Sequence, residues 1–547
     1  MSGEQKLLDR RRFLAATGMA GAMSITAAAQ GKVVAASSEG AVADGRTLNT
    51  VALQRAIDRA HEAGGGVVVL TPGVYLSGGL QLRSNVTLRL EAGSELLGSP
   101  RTEDYQYHPG PAEEGDANGR HLIFAIDAEN IAVEGLGTID GNGAHFWHRK
   151  GRPQAKPEDM WADVVAWDYE AATPRRPAPM LEFARCRNVR VEGVTLANAP
   201  SWTMRPIACE SVWIHGVRVR NPIFAPNTDG MDITASRNVF ISDCDIATGD
   251  DAICIKSENP YGELLPTKNI TITNCVFTTC CNGLKLGTAT YGRFENITFS
   301  NSVIYNEASS PLNERVIAGI ALEMVDGGSI EGVAISNIVM ENVRTPLFVR
   351  LGERHKGRGS FVRDIKISGI QARGALLTSS IMGVEGMPVE NVSLRDISIA
   401  TVEKGERKWA HGMPPEMREF YPEARMFGRL PAAGLYVRHA KGISVSAFSL
   451  NSETPDPRPV IATEDVSDVE LLHVKASAAA EGEPLLRLRN TQNAWVSGTR
   501  APAGTAVFVE VAGATSSGIA LHGNETSSAA KVVAFAENAK AEAVTGA

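Results

Sequence analysis

The sequence feature that most constrains the fold is a strand-like segment that recurs along the chain. Stretches of alternating apolar and polar residues begin at residues 188, 211, 238, 269 and 296, at intervals of 23, 27, 31 and 27 residues. Most of them start with asparagine, as in NVRVEG, NVFISD and NITITN. One coil of this length cannot bury its apolar face alone, so the repeat predicts a solenoid in which each coil covers the next.

Similar segments begin at residues 85 and 130, continue from 330 to about 400, and recur less regularly beyond residue 455. We therefore predict an all-β, single-stranded parallel β-helix, because a β-propeller requires longer and more even repeats with antiparallel blades. The leading asparagines are expected to form a hydrogen-bonded ladder between coils. Near the N-terminus, apolar residues at helical spacing predict a helix that caps the first coil: Val51, Leu53, Ala56, Ile57 and Ala60.

Composition limits the classes of function. The formal net charge of −8 offers no basic surface, so no nucleic-acid partner is expected. The cysteines fall in or beside strand-like segments, and we predict buried apolar thiols rather than a disulfide framework. No second cysteine pair stands at the spacing of a zinc site, and neither a metal nor a cofactor is expected. The seven cysteines are Cys186, Cys209, Cys244, Cys254, Cys275, Cys280 and Cys281.

An arginine cluster followed by a weakly apolar run lies near the N-terminus. Arg10 and Arg11 begin an Arg-Arg-x-Phe-Leu pattern that resembles the twin-arginine export signal. The run is typical of a signal peptide rather than a membrane span, so no stable membrane insertion is expected. We predict a signal peptide over 1–36 and one β-helix domain over 37–547, with less regular coils and a cap from about 455. The twin-arginine machinery is then an export partner, and the protein is periplasmic or secreted.

Two regions interrupt the repeat. Residues 100–180 and 403–433 are rich in aromatic residues and contain prolines. Long loops in a compact repeat fold are usually functional or disordered, and aromatic residues argue against disorder. We predict that both regions form walls of a cleft; packing over the outside of the solenoid is the alternative.

Two acidic motifs indicate the functional site. NTDG (227–230) and GDD (249–251) place Asp229 and Asp250 21 residues apart, about one coil. Adjacent strands lie about 4.8 Å apart, so the three aspartates should gather in one patch. Since neighbouring residues of a strand point to opposite faces, Gly249 must allow a turn if Asp250 and Asp251 are to act together. Three carboxylates can perform glycoside hydrolysis, one protonating the leaving oxygen and the others holding a water. A calcium cluster and a capped turn are the alternatives, both disfavoured because the two motifs occur one coil apart.

Residues 43–400 resemble glycoside hydrolase family 28, the polygalacturonase-like family of right-handed parallel β-helices. The resemblance rests on the ADGRTLNTVALQRAID start, the GGGVVVLTPGVYLSGGLQL stretch, GLGTIDGNG, and NTDG followed by GDD. It implies a general acid at Asp250, with Asp229 and Asp251 activating a water and Asn227 orienting the site. It also implies inversion at the anomeric carbon.

Two family motifs are altered. The family's histidine position is Asn282, and Lys285 replaces a serine. The arginine and lysine that grip a galacturonate carboxylate correspond to Ala321 and Glu323. Loss of a bidentate arginine and introduction of a negative charge disfavour an anionic sugar at this position.

Other cations are candidates to replace the missing grip. Lys256 and Lys285 lie near the acidic motifs, and a cluster of basic residues runs from Arg350 to Arg358. For that cluster a solvated turn is the default interpretation.

We therefore predict an exported glycosidase acting on a pectin-type or related polysaccharide, without a preference for plain polygalacturonan. The alternatives are a polysaccharide lyase on the same fold and a non-catalytic glycan-binding solenoid. The predicted substrate-binding residues are Asn227, Lys256, Asn282, Lys285, Glu323 and Arg350.

Overall fold

The computed structural model describes residues 32–108, 118–149, 169–171, 176–223, 225–310, 314–355 and 359–546. Within them the chain winds into the predicted parallel β-helix, whose strands pair in parallel with those one coil before and one coil after. The predicted twin-arginine motif lies outside the described residues. The first strand of the solenoid, Lys32–Ala35, precedes the predicted domain start at residue 37.

The strands form three stacks, one on each face of the coil. The first stack contains Lys32–Ala35, Gly66–Leu70, Val86–Leu90, Glu129–Gly135, Arg187–Glu192, Glu210–His215, Arg237–Ser242 and Thr267–Thr273. The second contains Asp44–Leu48, Gly73–Ser77, Ser94–Gly98, Thr138–Asp140, Thr195–Ala197, Arg218–Arg220, Asp245–Thr248 and Val276–Thr279. The third contains Leu80–Gln81, Ile123–Ile126, Leu181–Ala184, Met204–Ile207, Met231–Thr234, Ile253–Ser257, Asn282–Thr290, Ala318–Met324, Thr345–Leu351 and Ser379–Met382.

In later coils one strand runs through two or three stacks. These strands are Arg293–Tyr305, Ser329–Glu341, Phe361–Ala375, Val389–Thr401, Leu435–Ser452, Ile461–Leu472 and Pro484–Ser497. The last strands are Val507–Ala512, Ser517–His522, Lys531–Ala536 and Val544–Thr545. Strands thus continue beyond residue 455, as far as Thr545. An antiparallel pair, Trp147–Arg149 with Tyr169–Ala171, lies apart from the large sheet.

Helices are few. Among the described residues the α-helices are Thr50–Glu62 and Arg407–Ala410, and the 3₁₀ turns are Ala36–Glu39, Thr102–Asp104, Gly143–His145, Ala480–Gly482 and Ala541–Ala543. In the part of the chain that the structure describes, no helix combines the length and apolarity needed to cross a membrane.

The core lies inside the solenoid and follows from the alternation within each strand. In Arg187–Glu192, for example, Val189 and Val191 are fully buried and the residues between them are not. Stacking repeats this pattern, so one cluster of buried apolar side chains extends from Val34 to Leu521. Each coil thus covers the apolar face of the next.

The predicted asparagine ladder is confirmed. Asn130 donates to Asn85 Oδ1 at 2.9 Å, and Asn269 donates to Asn238 Oδ1 at 2.9 Å. All four residues have φ between 54° and 65°. This is the left-handed region, which asparagine tolerates better than most residues. Asparagine recurs at the start of these strands because it supplies both the backbone conformation and the inter-coil bond.

The predicted capping helix is also confirmed. Helix Thr50–Glu62 packs on Lys32–Ala35, Gly66–Leu70 and Leu80–Gln81, and so covers the end of the stack. Its buried face differs by one residue from the prediction, because Val51 is 71% exposed. The buried residues are Ala52, Leu53, Ala56, Ile57 and Ala60.

The cysteines are buried, as predicted. All seven have free thiols and none is exposed. The Cys209 thiol accepts a hydrogen bond from the backbone N–H of Cys186, one coil away, at 3.4 Å. The thiols thus fill space in and beside the core instead of crosslinking the coils.

The region 100–180 does not form the predicted cleft wall where the structure describes it. Tyr105, Phe146 and Trp147 are buried and belong to the core. The Tyr105 and Phe146 rings meet edge to face with centroids 6.4 Å apart. Trp161 and Trp167 lie outside the described residues. These three aromatic side chains close the interior of the coil, which removes them from the cleft.

The ladder predicts how substitutions of Asn269 affect stability. Asn269→Ala should lower the free energy of unfolding by about 1–2 kcal/mol, because alanine is strained in the left-handed region. Asn269→Gly loses the same bonds to Asn238 and Asn296 without that strain. The glycine variant should therefore recover about 1 kcal/mol of the loss in urea denaturation. Equal stability of the two variants would contradict this account.

Candidate active site

The acidic motifs occupy equivalent positions on neighbouring coils. Asp229 stands two residues before Met231, the first residue of its strand. Asp251 stands two residues before Ile253, which is the partner of Met231 in the parallel sheet. The register places the two carboxylates in one column at the edge of the third stack. The same column continues on the flanking coils with Trp202 and Asn282.

The turn that carries Asp250 and Asp251 depends on Gly249. GDD lies between two strands and not within one. A Cβ at Gly249 would lie 2.2 Å from the carbonyl oxygen of Ala225, which leaves no room for a side chain. The Gly249 N–H is fixed by the Thr228 hydroxyl at 3.0 Å. The predicted turn therefore brings both neighbouring aspartates into one cleft.

Burial and mutual repulsion separate the protonation states of the three aspartates. Burial, reinforced by Asp250, raises the pKa of Asp229 well above its ordinary value. Burial and the neighbouring Asp251 raise the pKa of Asp250 to about 7. Burial also opposes ionisation of Asp251, but Lys285 and Lys256 outweigh it and hold that pKa below its ordinary value. Asp251 therefore carries the negative charge while Asp250 keeps a proton up to near-neutral pH.

Both oxygens of Asp251 have partners. The backbone N–H and the side-chain amide of Asn282 donate to Oδ1 at 3.1 and 2.7 Å. Lys285 Nζ lies 3.1 Å from Oδ2. These contacts fix the orientation of a carboxylate that is only 2% exposed.

A second cation stands beside the aspartates. Lys256 Nζ lies 3.5 Å from Asp232 Oδ1 and 4.8 Å from the centre of the Trp202 ring. Burial raises the pKa of Asp232 to about 6, against the attraction of Lys256 and Arg205. Lys256 is thus held at the cleft between a buried carboxylate and an aromatic ring.

The aspartates open into a cleft of about 740 Å³. Four of the six predicted substrate-binding residues line it: Asn227, Lys256, Asn282 and Lys285. The region 403–433 forms part of its wall, as predicted, through Glu419, Tyr421 and Glu423. The other lining residues are Trp202, Asp229, Asp250, Asp251, Glu258, Cys281, Thr288, Ala289, Arg354 and His355.

Arg350 is not among the residues that line the cleft. It is 1% exposed, and its guanidinium lies 5.1 Å from the centre of the Phe427 ring. Its Nη1 donates to the Gly383 carbonyl at 2.9 Å, and its Nη2 to those of Glu416 and Met417 at 2.8 and 3.1 Å. The predicted binding role is corrected: Arg350 anchors the segment that forms the cleft wall.

Glu323 and Ala321 are likewise covered. Glu323 is 1% exposed, and burial raises its pKa to about 8. Ala321 is fully buried in a second apolar cluster with Phe348 and Phe427, beneath the region 403–433. The predicted contact of Glu323 with substrate is therefore corrected. The two positions that the resemblance assigns to a carboxylate grip are thus both buried.

Two sets of side chains bring possible metal ligands within 4.8 Å of one another. The sets are Asp229, Asp251 and Cys254, and Asp250, Asp251 and Cys281. The ammonium groups of Lys256 and Lys285 stand beside these carboxylates and oppose a divalent cation. Thiols are also poor ligands for hard cations such as calcium. We assign no metal ligand here.

Several lining residues were not predicted as site residues. Trp202 could have been found by extending the column of Asp229 and Asp251 back by one coil. Glu419 and Glu423 carry no such signal, because their segment reaches the cleft only through tertiary docking. Arg354 and His355 lie at the cleft, against the default interpretation as a solvated turn, while residues 356–358 are outside the described residues.

Comparison with known proteins identifies the family. The family model for glycosyl hydrolases family 28 matches residues 76–410. A probable polygalacturonase of Vitis vinifera is 26% identical over 67% of this chain and 74% of its own length. An endo-polygalacturonase of Pectobacterium carotovorum is 28% identical over 55% of this chain and 71% of its own.

Solved structures agree with this assignment. A hyperthermoactive exopolygalacturonase from Thermotoga maritima is 25% identical, with a TM-score of 0.56, over 68% of this chain and 89% of its own. A family 28 exopolygalacturonase of Yersinia enterocolitica has a TM-score of 0.58 at 19% identity, over 80% of this chain and 78% of its own. The fold is the right-handed parallel β-helix of these enzymes. The chain belongs to glycoside hydrolase family 28 and is a glycosidase.

Proposed function

We propose that the protein hydrolyses O-glycosidic bonds of a pectin-type or related polysaccharide by an inverting mechanism that uses Asp229, Asp250 and Asp251. The observation that carries the proposal is that three carboxyl groups from neighbouring coils meet in one cleft, where burial raises the pKa of Asp250, whereas Lys285 and Lys256 outweigh burial and lower that of Asp251. A pair of carboxyl groups with separated pKa values can supply an acid and a base at the same pH.

Asp250 is the general acid. It is half-buried, while Asp229 and Asp251 are buried. Its pKa of about 7 keeps it protonated in mildly acidic solution. A group with a pKa near the working pH combines the correct protonation state with a strong tendency to give up its proton.

Asp229 and Asp251 hold the attacking water. Each offers an oxygen within 4.8 Å of the other, so one water can contact both. Asp250 and Asp251 also offer oxygen atoms within 4.8 Å of one another, a spacing closer to the roughly 5–5.5 Å of retaining pairs than to the roughly 6.5–9.5 Å of inverting pairs. Inversion is therefore proposed from the family to which the chain belongs, with Asp229 as a further carboxyl group that holds the water. Because Asn282 and Lys285 occupy both oxygens of Asp251, this carboxylate suits a base better than a nucleophile.

The sugar at the cleavage site is proposed to be other than an unsubstituted galacturonate. Ala321 and Glu323 stand at the position of the family's carboxylate grip, and both are covered. A carboxylate at the cleaved residue therefore lacks the charge-assisted bonds of that grip, which leaves neutral or branched sugars favoured.

The proposal includes export. Arg10 and Arg11 precede Phe13 and Leu14 in the pattern of a twin-arginine signal, with an apolar run behind them. Changing both arginines to lysine should retain the precursor in the cytoplasm. Cell fractionation measures this, and unchanged arrival in the periplasm would exclude the twin-arginine route.

Asp250→Asn tests the assignment of the acid. It should lower kcat by about 10²–10⁴-fold, because the leaving oxygen is no longer protonated. In the wild-type enzyme kcat/KM should fall as pH rises through about 7, where Asp250 loses its proton. Asp245→Asn, on an exposed strand position, is the matched control and should keep its turnover. Near wild-type turnover in purified Asp250→Asn would remove Asp250 from the acid role.

Substrate preference is tested by comparing defined oligosaccharides. One missing charge-assisted bond to the carboxylate costs on the order of 1.5–3 kcal/mol, or roughly one to two decades of kcat/KM. Polygalacturonan should therefore be a poorer substrate than rhamnose-, galactose- or xylose-bearing pectic oligosaccharides. Reducing-sugar release measures this. If polygalacturonan is the best substrate by about tenfold, a gap of roughly 1.4 kcal/mol, the proposed substrate preference is wrong while the hydrolytic mechanism stands.

A further inference from the structure

Lys285 is enclosed by oxygen atoms of the protein. Its Nζ lies 3.1 Å from Asp251 Oδ2 and 3.9 Å from Glu323 Oε2. It also donates to the Tyr421 hydroxyl at 3.1 Å. The side chain is only 6% exposed. An ammonium group has three donors, and three protein oxygens surround this one.

The neighbouring coil is adapted to this arrangement. Lys285 pairs in register with Ala321, whose methyl group leaves room beside the lysine stem. Glu323, two residues further along the same strand, supplies the opposite charge. The departures from the family pattern at Lys285, Ala321 and Glu323 thus form one physical unit. The strand that carries Ala321 and Glu323 lacks the cations of the family pattern, and Lys285 supplies a cation on the preceding strand of the stack.

We infer that Lys285 is a positioning residue, which holds Asp251 ionised and oriented towards the attacking water, and that Tyr421 fixes Lys285 in place. The inference rests on the proposed function in one respect, since it takes Asp251 to be a base. It differs from the predicted role of Lys285, which was to bind substrate. It also gives the region 403–433 a link to the catalytic centre, although Tyr421 lies beyond the matched residues 76–410.

The physical need for such a cation follows from burial. A buried carboxylate that lacks a partner takes up a proton instead of remaining charged. Asp251 stands beside two further carboxyl groups, those of Asp229 and Asp250, which increase this tendency. Lys256, the other lysine that lines the cleft, lies 3.5 Å from Asp232 and is engaged there. Lys285 is therefore the main partner that keeps Asp251 charged.

The ionisation of Asp251 depends on all the titratable groups around it. Some of these groups lie on the turn of Asp251 itself or on the preceding coil. Others lie on the following coils or on the cleft wall, and each either repels or attracts the Asp251 carboxylate. They are Asp229, Asp232, Asp250, Cys254, Lys256, Cys281, Lys285, Glu323 and Tyr421.

The test compares Lys285→Met with Lys285→Arg, which keeps the charge. The exposed Lys366→Met is the control for loss of a lysine elsewhere. Carbon-13 NMR titration of aspartate-labelled protein follows the ionisation of Asp251, assigned by its loss in Asp251→Asn. In Lys285→Met the pKa of Asp251 should rise by about one unit or more. Lys285→Arg and Lys366→Met should stay close to wild type.

The kinetic constants of the variants should change in the same order as the pKa of Asp251, with Lys285→Met the most affected. The acid limb of kcat/KM against pH should move upwards with Asp251 in Lys285→Met, with kcat reduced and KM little changed. A rise of about tenfold in KM with an unmoved pH profile would overturn the inference, because Lys285 would then bind substrate. An Asp251 that titrates as in wild type would overturn it as well.

Two further measurements keep the result decisive. If Lys285→Met does not fold, Tyr421→Phe poses the same question, because it removes one partner of Nζ. It should raise the pKa of Asp251 by a smaller amount, and no rise would contradict the inference. The NMR titration requires no turnover. A wild-type protein without activity on pectic oligosaccharides would therefore overturn the proposed function while leaving the role of Lys285 measurable.

Discussion

The register between successive coils is the constraint on which the rest of the structure depends. Parallel strands about 4.8 Å apart turn a spacing of one coil in the sequence into direct contact. Trp202, Asp229, Asp251 and Asn282 share a column for this reason alone. A slip of one residue would send their side chains to the opposite face. The asparagine ladder and the continuous apolar core, both outside the cleft, therefore determine which residues meet inside it.

Charge balance in the cleft is the second condition. Burial makes every carboxylate costly to ionise, and five of them lie near one another around two lysines: Asp229, Asp232, Asp250, Asp251 and Glu323. The two lysines cannot neutralise all five carboxyl groups. Whether a carboxyl group is ionised or protonated therefore depends on how close it lies to an ammonium group. Asp251 is nearest to Lys285 and ionises first. The positions of Lys256 and Lys285 thus determine which of the five carboxyl groups hold a proton.

Much of this architecture follows from the sequence, because the features concerned depend on local pattern and on the repeat. Strand alternation predicts the solenoid, and helical spacing predicts the capping helix. The turn at Gly249 follows from the need for Asp250 and Asp251 to face one cleft, and the backbone of Ala225 explains why only glycine fits.

The remaining parts of the site depend on a distant segment. Arg350 and Glu323 lie on strands whose outer face is covered by the region 403–433, and the repeat carries no information about that docking. The charge of Arg350 and of Glu323 suggests a place in the cleft, but both side chains are buried. Arg350 anchors the covering segment, and Glu323 is a counter-charge for Lys285. The aromatic residues of 100–180 were predicted to line the cleft, but those that the structure describes as buried belong to the core. Composition alone does not distinguish a cleft wall from a core. Trp202 is different: the register was available in the sequence and identifies it.

The central claim is that Asp229 and Asp251 direct a water at the anomeric carbon while Asp250 protonates the leaving oxygen. The most direct test is proton NMR of the product during the first turnovers, before mutarotation mixes the anomers. Direct attack by water predicts that the first-formed anomer has the inverted configuration. A retained configuration would require a covalent glycosyl-enzyme intermediate and would contradict the account.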